Sequence, residues 1–224
     1  MVNRESRTLK FRKSQGLTFP LILASSSPRR REILRRAGIR FRCVPSKVRE
    51  RPPRPRESHG AYAMRLALEK ACSVMTLVPK DIVILAADTV VGIRGHILGK
   101  PRSPAEARRM LRLLSGRSHW VITGVALVDQ KTSRSVCWSE RTRVTFSTLT
   151  DDMIDTYISS REPFDKAGAY AVQGLASKFV TRIEGCFFNV MGLPIAGVYR
   201  ELGKLARRRP SASRSLPLRS SLKK

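Results

Sequence analysis

The chain is poor in acids, aromatics and histidine, and each scarcity removes a class of function. Phe, Trp and Tyr make up 6% of it and are not interleaved with the basic residues, so a stacking platform for single-stranded nucleic acid has no support. Histidines stand only at positions 59, 96 and 119, with no ligand spacing. Cys43, Cys72, Cys137 and Cys186 lie far apart without a CxxC pair, which argues against a structural zinc site or a dithiol redox centre. Buried free thiols in a reducing compartment are expected instead. No apolar run approaches the ~20 residues of a membrane span, and the N-terminus lacks the apolar block of a secretory signal. A soluble, cytoplasmic protein with no membrane partner is expected. A P-loop, a GxGxxG turn, a GxSxG elbow and an HExxH helix are all absent.

The lack of acids is the strongest bias. Against 44 Lys and Arg stand 17 Asp and Glu, for a formal charge of +27, so composition first suggests a polyanionic partner such as nucleic acid. Residues 1–20 carry +4 and residues 203–224 carry +8, leaving +15 between them. There the arginines are scattered on helices among acids, as on a solvated surface. Residues 1–20 read as a flexible basic extension, residues 21–205 as one domain, and residues 206–224, rich in Arg, Pro and Ser, as a disordered tail.

What is present alternates short apolar runs with helical patterns. LILA (21–24) reads as a buried strand and residues 28–37 as a helix with Ser27 as N-cap and Pro28 in first position. FRCV (41–44) is a second strand. From Ser58 to Val78 the apolar positions Met64, Leu68, Ala71, Met75 and Val78 step by three or four, predicting a long amphipathic helix. IVILAAD (82–88) is a strand ending on an acid, and 89–98 continues as a hairpin turning near Arg94-Gly95. A helix over 103–114 carries the Ser103/Glu106 capping box. Two long strands (119–129, 135–149), a helix at 151–159, a glycine-broken segment at 165–176, a strand at 178–184 and a helix near 194–205 follow. The class is α/β with a mixed twisted sheet and flanking helices, since the hairpins exclude an all-parallel sheet.

Three segments carry chemistry. ASSSPRRR (24–31) lies where a strand ends and a helix begins, so free N–H groups, Ser25, Ser27, Arg29 and Arg30 can cradle phosphate; an ordinary capped helix with surface arginines is the alternative. Asp88, in ILAADTVV, stands at a strand end where open α/β sheets bind ligands. It can hold a divalent cation or take a proton from water, or it can be a turn aspartate bonding its own backbone. Lys100 is close enough to point into the same site. In EPFDKAGAYAVQG (162–174), Gln173 can read a base edge, although such a Gly/Ala-rich stretch also serves as a tight connection. Lys70 is by default a solvated helix lysine.

Together SSSPRRREIL (25–34), RLALEKA (65–71), AADTVV (86–91), LGKPRSPAEARRML (98–111), LSGRSHWVITGVAL (114–127), EPFDKAGAYAVQG (162–174) and NVMGLP (189–194) resemble, in order and in register, the Maf family of nucleoside triphosphate pyrophosphatases. The resemblance implies an inosine-triphosphatase-like fold with a central cleft. It implies hydrolysis between the α and β phosphates, with Mg²⁺ or Mn²⁺, in the chain alone or a homodimer, and nucleic acid not required. Asp88 matches the catalytic acid. Ser25, Ser27, Arg29 and Arg30 match the phosphate loop, and Lys70 and Lys100 match two phosphate-facing lysines. Glu50 matches an acid near the metal, beside Asp88, and Arg49 stands where the family usually offers a second acid. Arg29, Thr89 and Gln173 fit the branch acting on dTTP and UTP, with modified pyrimidine triphosphates as further substrates and clearance of the nucleotide pool as the role. Rival readings are a 7-methyl-GTP pyrophosphatase, a non-catalytic nucleic-acid-binding protein, and a regulator of cell division.

Overall fold

The computed structural model describes residues 19–209. The expected α/β organisation is present as one seven-stranded mixed sheet. Strands β1 (Leu21–Leu23), β2 (Arg42–Cys43), β3 (Val83–Ile93), β4 (His96–Leu98), β5 (Ser118–Asp129), β6 (Arg134–Phe146) and β7 (Val180–Glu184) lie in the order β2-β1-β3-β5-β6-β7, with β4 also on β3. β1 runs parallel to β2 and β3; every other pairing is antiparallel.

Helix α1 (Pro28–Arg36) starts as the sequence dictates: the Ser27 hydroxyl accepts the Arg30 N–H, Pro28 takes the first turn, and Arg35 and Arg36 face the negative end of the dipole. Helix α2 (His59–Val74) is capped by Ser58. Its buried stripe is Tyr62, Ala63, Leu66, Ala67, Ala71 and Val74, not the predicted line through Met64, Leu68, Met75 and Val78, which packs only partly. Small alanines let α2 sit low on the sheet. A side chain at Gly124 would come within 2.2 Å of the Ala63 backbone, so that crossing requires glycine.

Helix α3 (Pro104–Leu114) has the Ser103 cap, while Glu106 reaches the Arg102 N–H at 2.8 Å rather than that of Ser103. Helix α4 (Asp151–Ser159) starts at Thr150. The glycine-broken stretch forms 3-10 turns at Glu162–Asp165, Ala167–Ala169 and Leu175–Phe179. A short helix that the sequence reading missed, α5 (Phe187–Val190), precedes α6 (Ile195–Arg208).

Strand alternation divides the core. Ile84, Ala86 and Ala126 face α2, whereas Leu85, Ala87, Val125 and Leu127 face α1 and α6; α3 and α4 cover Val91, Val121 and Val144.

Three expectations are corrected. Asp88 is not at a strand end: β3 continues through it to Ile93, because Val90, Val91 and Ile93 are themselves buried. The cysteines are free, but Cys43, Cys72 and Cys137 are exposed and Cys186 is half-buried, since none of the four falls on a face that points into the core. The folded unit also outruns its predicted borders. Phe19 is 1% exposed, and residues 206–208 extend α6 because Arg209 beyond them is anchored to Asp129. The rest of both expected tails lies outside the described residues.

Candidate active site

The site begins at a gap in the sheet. On one edge of β3, residues 83–85 pair with β1 and residues 91–93 with β4. Between them β1 has ended and its chain has turned into the ASSSP loop and α1. Asp88 and Thr89 lie in that gap and, being consecutive in a strand, present their side chains to opposite faces.

On the α2 face, the Lys70 ammonium donates to Asp88 Oδ1 at 2.5 Å and to Glu50 Oε1 at 2.7 Å. The Asp88 side chain is 8% and that of Lys70 15% exposed, so Lys70 is not the solvated helix lysine of the default reading. Burial pushes the Glu50 carboxyl up, but the charge and hydrogen bond of Lys70 outweigh it, with Lys100 and Arg30 adding, and hold it below its ordinary value. Glu50 is placed there by its loop, where Ser46 Oγ pairs with Ser73 Oγ of α2 at 2.8 Å.

On the opposite face Arg30 is held by three acceptors: Nε donates to Gly192 O at 2.8 Å, Nη2 to Thr89 Oγ1 at 3.1 Å and Nη1 to Ser25 Oγ at 3.3 Å. Burial lowers its pKa, and Asp88 partly offsets this. Behind Arg30 runs a chain that sequence reasoning missed. Thr89 Oγ1 pairs with Thr123 Oγ1 at 2.9 Å, and Thr123 donates to the Asn189 carbonyl at 3.0 Å. The Asn189 amide in turn donates to Val121 O and Thr142 Oγ1, each at 2.9 Å. The available signal was a threonine inside the apolar run of β5, register-paired with Thr89. Asn189 lay in NVMGLP, where it had been given no role.

Both faces open into one cavity of about 400 Å³. Asp88, Ser25, Ser27, Arg29, Arg30, Lys70, Lys100, Thr89, Gln173 and Glu50 all line it, so the structure brings together every residue singled out from the sequence. Lys166 and Asp165, which contact each other, are also in its wall. Burial raises the Asp165 pKa, but Lys166 and Arg29 lower it more, with a net downward shift; Arg29 stands 4.0 Å from Asp165 across the mouth. Arg29, Arg30, Lys70, Lys100 and Lys166 against Glu50, Asp88 and Asp165 leave a cationic wall with a buried carboxylate in it. Among the described residues no cluster of three or more His, Cys, Asp or Glu could hold a metal. Two carboxylates, Glu50 and Asp88, nevertheless meet at Lys70, and Arg49 adds no third. Among the described residues no helix is long and apolar enough to cross a membrane.

Fold and site thus define an α/β protein with a cationic cleft that holds a buried carboxylate. The family described as Maf-like protein matches residues 20–205, and this chain belongs to the Maf family. A dTTP/UTP pyrophosphatase of Carboxydothermus hydrogenoformans is 50% identical over 186 residues, covering 81% of this chain and 96% of that protein. One of Bacillus cereus is 47% identical over 188 residues, covering 81% and 93%. Among solved structures, a HAM1 protein from Coxiella burnetii aligns with a TM-score of 0.40 at 18% identity, over 59% of this chain and 75% of that one.

Proposed function

We propose that this chain is a nucleoside triphosphate pyrophosphatase that hydrolyses dTTP and UTP, and modified pyrimidine triphosphates beside them, to the monophosphate and pyrophosphate. The observation that carries the reading is Asp88, 6% exposed, set into a cationic wall with Lys70 on one of its oxygens. Asp88 Oδ2, the oxygen that Lys70 leaves open, orients a water and accepts its proton. The water oxygen bonds to the α-phosphorus, the α–β bridging bond breaks, and its electron pair leaves on pyrophosphate. Most of the barrier is met by placing charge around phosphate oxygens. Ser25, Ser27, Arg29 and Arg30 with the first turn of α1 serve one side of the triphosphate, and Lys70 and Lys100 the other.

Glu50 and Asp88, together with phosphate oxygens, suit a Mg²⁺ or Mn²⁺ ion, which is commonly held by one or two carboxylates plus substrate phosphates. Such an ion supplies further neutralisation of phosphate charge. Gln173, exposed at the rim, offers an amide donor and acceptor to the base. The Thr89 hydroxyl is occupied by Arg30 and Thr123, so its part in substrate choice runs through the placement of Arg30. The reading calls for no membrane and no nucleic acid, suits a cytoplasmic enzyme that clears the nucleotide pool, and works for the chain alone or as a homodimer.

The test is to incubate the purified protein with dTTP, UTP, dCTP, GTP and 7-methyl-GTP and Mg²⁺ or Mn²⁺, and to measure pyrophosphate. Release from dTTP and UTP first is expected. Preference for 7-methyl-GTP would overturn the specificity, and a salt-sensitive DNA shift without pyrophosphate would overturn the activity.

A further inference from the structure

The cavity's outer wall is a single excursion of chain, residues 163–174, which brings Asp165, Lys166, Tyr170 and Gln173 to the site. The middle of this loop is seated in the core at Ala169 and Tyr170, so the stretch from Ala171 to Gly174 is the part that depends on a partner outside the loop. Both of its ends converge on Glu162, which does not line the cavity. One carboxylate oxygen, Oε2, accepts the Leu175 N–H at 3.0 Å; the other, Oε1, accepts the Tyr157 hydroxyl of α4 at 2.9 Å. The Glu162 carbonyl accepts Lys166 Nζ at 2.7 Å. The fit is tight: a Cβ at Gly174 would lie 2.1 Å from Oε1 and 2.4 Å from Cδ, so the carboxylate rests flat on the one residue between Gln173 and Leu175.

Taken singly these contacts are those of a loop anchor. Their arrangement says more. Tyr157 is 2% exposed and belongs to the core under α3 and α4, so the carboxylate ties the end of the 163–174 segment to that core. The carboxylate reaches the loop at Leu175, just past Gln173, whereas Lys166 is held by the Glu162 backbone carbonyl, which a substitution at 162 leaves in place. The phosphate-facing groups Ser25, Arg30, Lys70 and Asp88 stand on α1, α2, β3 and the loop after β1, none of which Glu162 touches.

We propose that Glu162 is a positioning residue for base selection: its carboxylate closes the C-terminal end of the 163–174 loop against Tyr157 and so fixes where Gln173 stands, without contacting the nucleotide. This rests on the pyrophosphatase reading for its link to substrate, but the clamp itself does not. Losing the clamp leaves the triphosphate grip intact and frees the base-reading side, so KM and base preference change while pyrophosphate affinity does not. Glu162→Gln is the conservative control, since its amide oxygen can still accept the Leu175 N–H and its NH₂ can donate to the Tyr157 oxygen.

Two measurements on the full chain test this. The first, hydrogen–deuterium exchange without substrate, should show the 171–174 amides exchanging at least tenfold faster in Glu162→Ala than in the wild type, with α2 and β3 unchanged and Glu162→Gln close to wild type. Unchanged exchange in that segment overturns the clamp whatever the protein hydrolyses. The second compares kcat/KM for dTTP and dCTP and inhibition by inorganic pyrophosphate. Glu162→Ala should raise the KM for dTTP at least tenfold and narrow the dTTP/dCTP ratio, with the inhibition constant of pyrophosphate changed less than twofold and Glu162→Gln restoring the ratio. An unchanged ratio, or pyrophosphate affinity lost in parallel, overturns the link to base selection. Gln173→Ala separates the two ideas. If it leaves the ratio unchanged while Glu162→Ala alters it, the base-reading role of Gln173 fails and the clamp stands.

Discussion

Replacing Arg209 by alanine should cost the fold about 3 kcal/mol while leaving the active site untouched. The Arg209 guanidinium grips the Asp129 carboxylate at both oxygens, Nε to Oδ2 at 2.9 Å and Nη2 to Oδ1 at 2.6 Å. Its third nitrogen stands 3.4 Å from Asp81, and its Cζ lies 4.8 Å from the centre of the Phe19 ring. The two side chains are 6% and 1% exposed. Removing one member of a buried pair typically costs ~3–5 kcal/mol, because the other charge is left uncompensated. Asp129 keeps the Lys131 N–H at 3.1 Å, which argues for the lower end. At ~2–4 °C per kcal/mol for a chain of this size, the melting temperature should fall by about 6–12 °C.

Burial raises the Asp129 pKa, but hydrogen bonds and charge, those of Arg209 foremost, bring it below its ordinary value. A depressed folded pKa gives stability that is present above the unfolded value of about 3.9 and lost as pH falls through the folded one. The cost of Arg209→Ala should therefore hold at pH 7 and shrink towards pH 3. Asp129 pairs with Val83, five positions along β3 from Asp88, or about 17 Å at strand rise, so turnover at 25 °C should stay near wild type. Urea melts of Arg209→Ala, Asp129→Asn and the double variant provide the assay. A cost under about 1 kcal/mol, or one equal at pH 3 and pH 7, refutes the reasoning.

Asp88→Asn should cut pyrophosphate release from dTTP by about 10²–10⁴, the range for losing a positioned base, with the chain still folded by circular dichroism; near-normal turnover would remove Asp88 from the chemistry. Gly124→Ala must lift α2 off the sheet, because its Cβ would lie 2.2 Å from the Ala63 backbone. It should destabilise by about 1–3 kcal/mol and also lower turnover by moving Lys70, so full activity in a folded variant would contradict the contact. His119, 1% exposed with Nε2 on the Tyr170 hydroxyl at 2.8 Å, has its pKa lowered by burial to about 4. The unfolded chain then takes the proton first, so stability should fall by about 2 kcal/mol between pH 6.5 and pH 5, and chemical denaturation should show that slope flattened in His119→Gln.

The sequence revealed most where a local rule decides the structure. Ser27-Pro28, Ser58 and Ser103-Pro104 start helices as capping chemistry requires, and the long apolar runs are the central strands. It failed where the deciding partner is remote. The residues after Asp88 announced the hairpin that turns at Arg94-Gly95, but not that Asp88 lies within one unbroken strand, since that follows from the ten-residue pairing with β5. Composition assigned Arg209 to a tail, yet its partner lies 80 residues earlier. The site residues were legible as motifs, but their division between two faces of the sheet was not, because it depends on the parity of Asp88 and Thr89 within β3. Gln173 could be singled out by its amide, whereas Glu162, whose carboxylate meets Tyr157 and Leu175, offered only an acid among other polar residues.

The same parity explains how a continuous strand can present the proposed catalytic carboxylate, which the sequence reading placed at a strand's end. A ligand lying across the gap between β1 and β4 meets Asp88 and Lys70 on one face and Arg30 on the other, so one strand serves both sides of a polyphosphate. The arrangement depends on the height of α2. Ser139, Gly124 and Asp88 are register partners in one row across β6, β5 and β3, and α2 meets that row three times. A Cβ on Gly60 would lie 3.0 Å from Ser139 Oγ, Ala63 rests on Gly124, and Lys70 bonds Asp88. Ala63 and Lys70 are seven residues apart, hence on one side of the helix. A larger residue at either crossing would raise Lys70 off Asp88 before it touched any ligand. Gly124 and Ala63 therefore set the Lys70–Asp88 geometry on which the proposed chemistry rests, although neither carries a functional group.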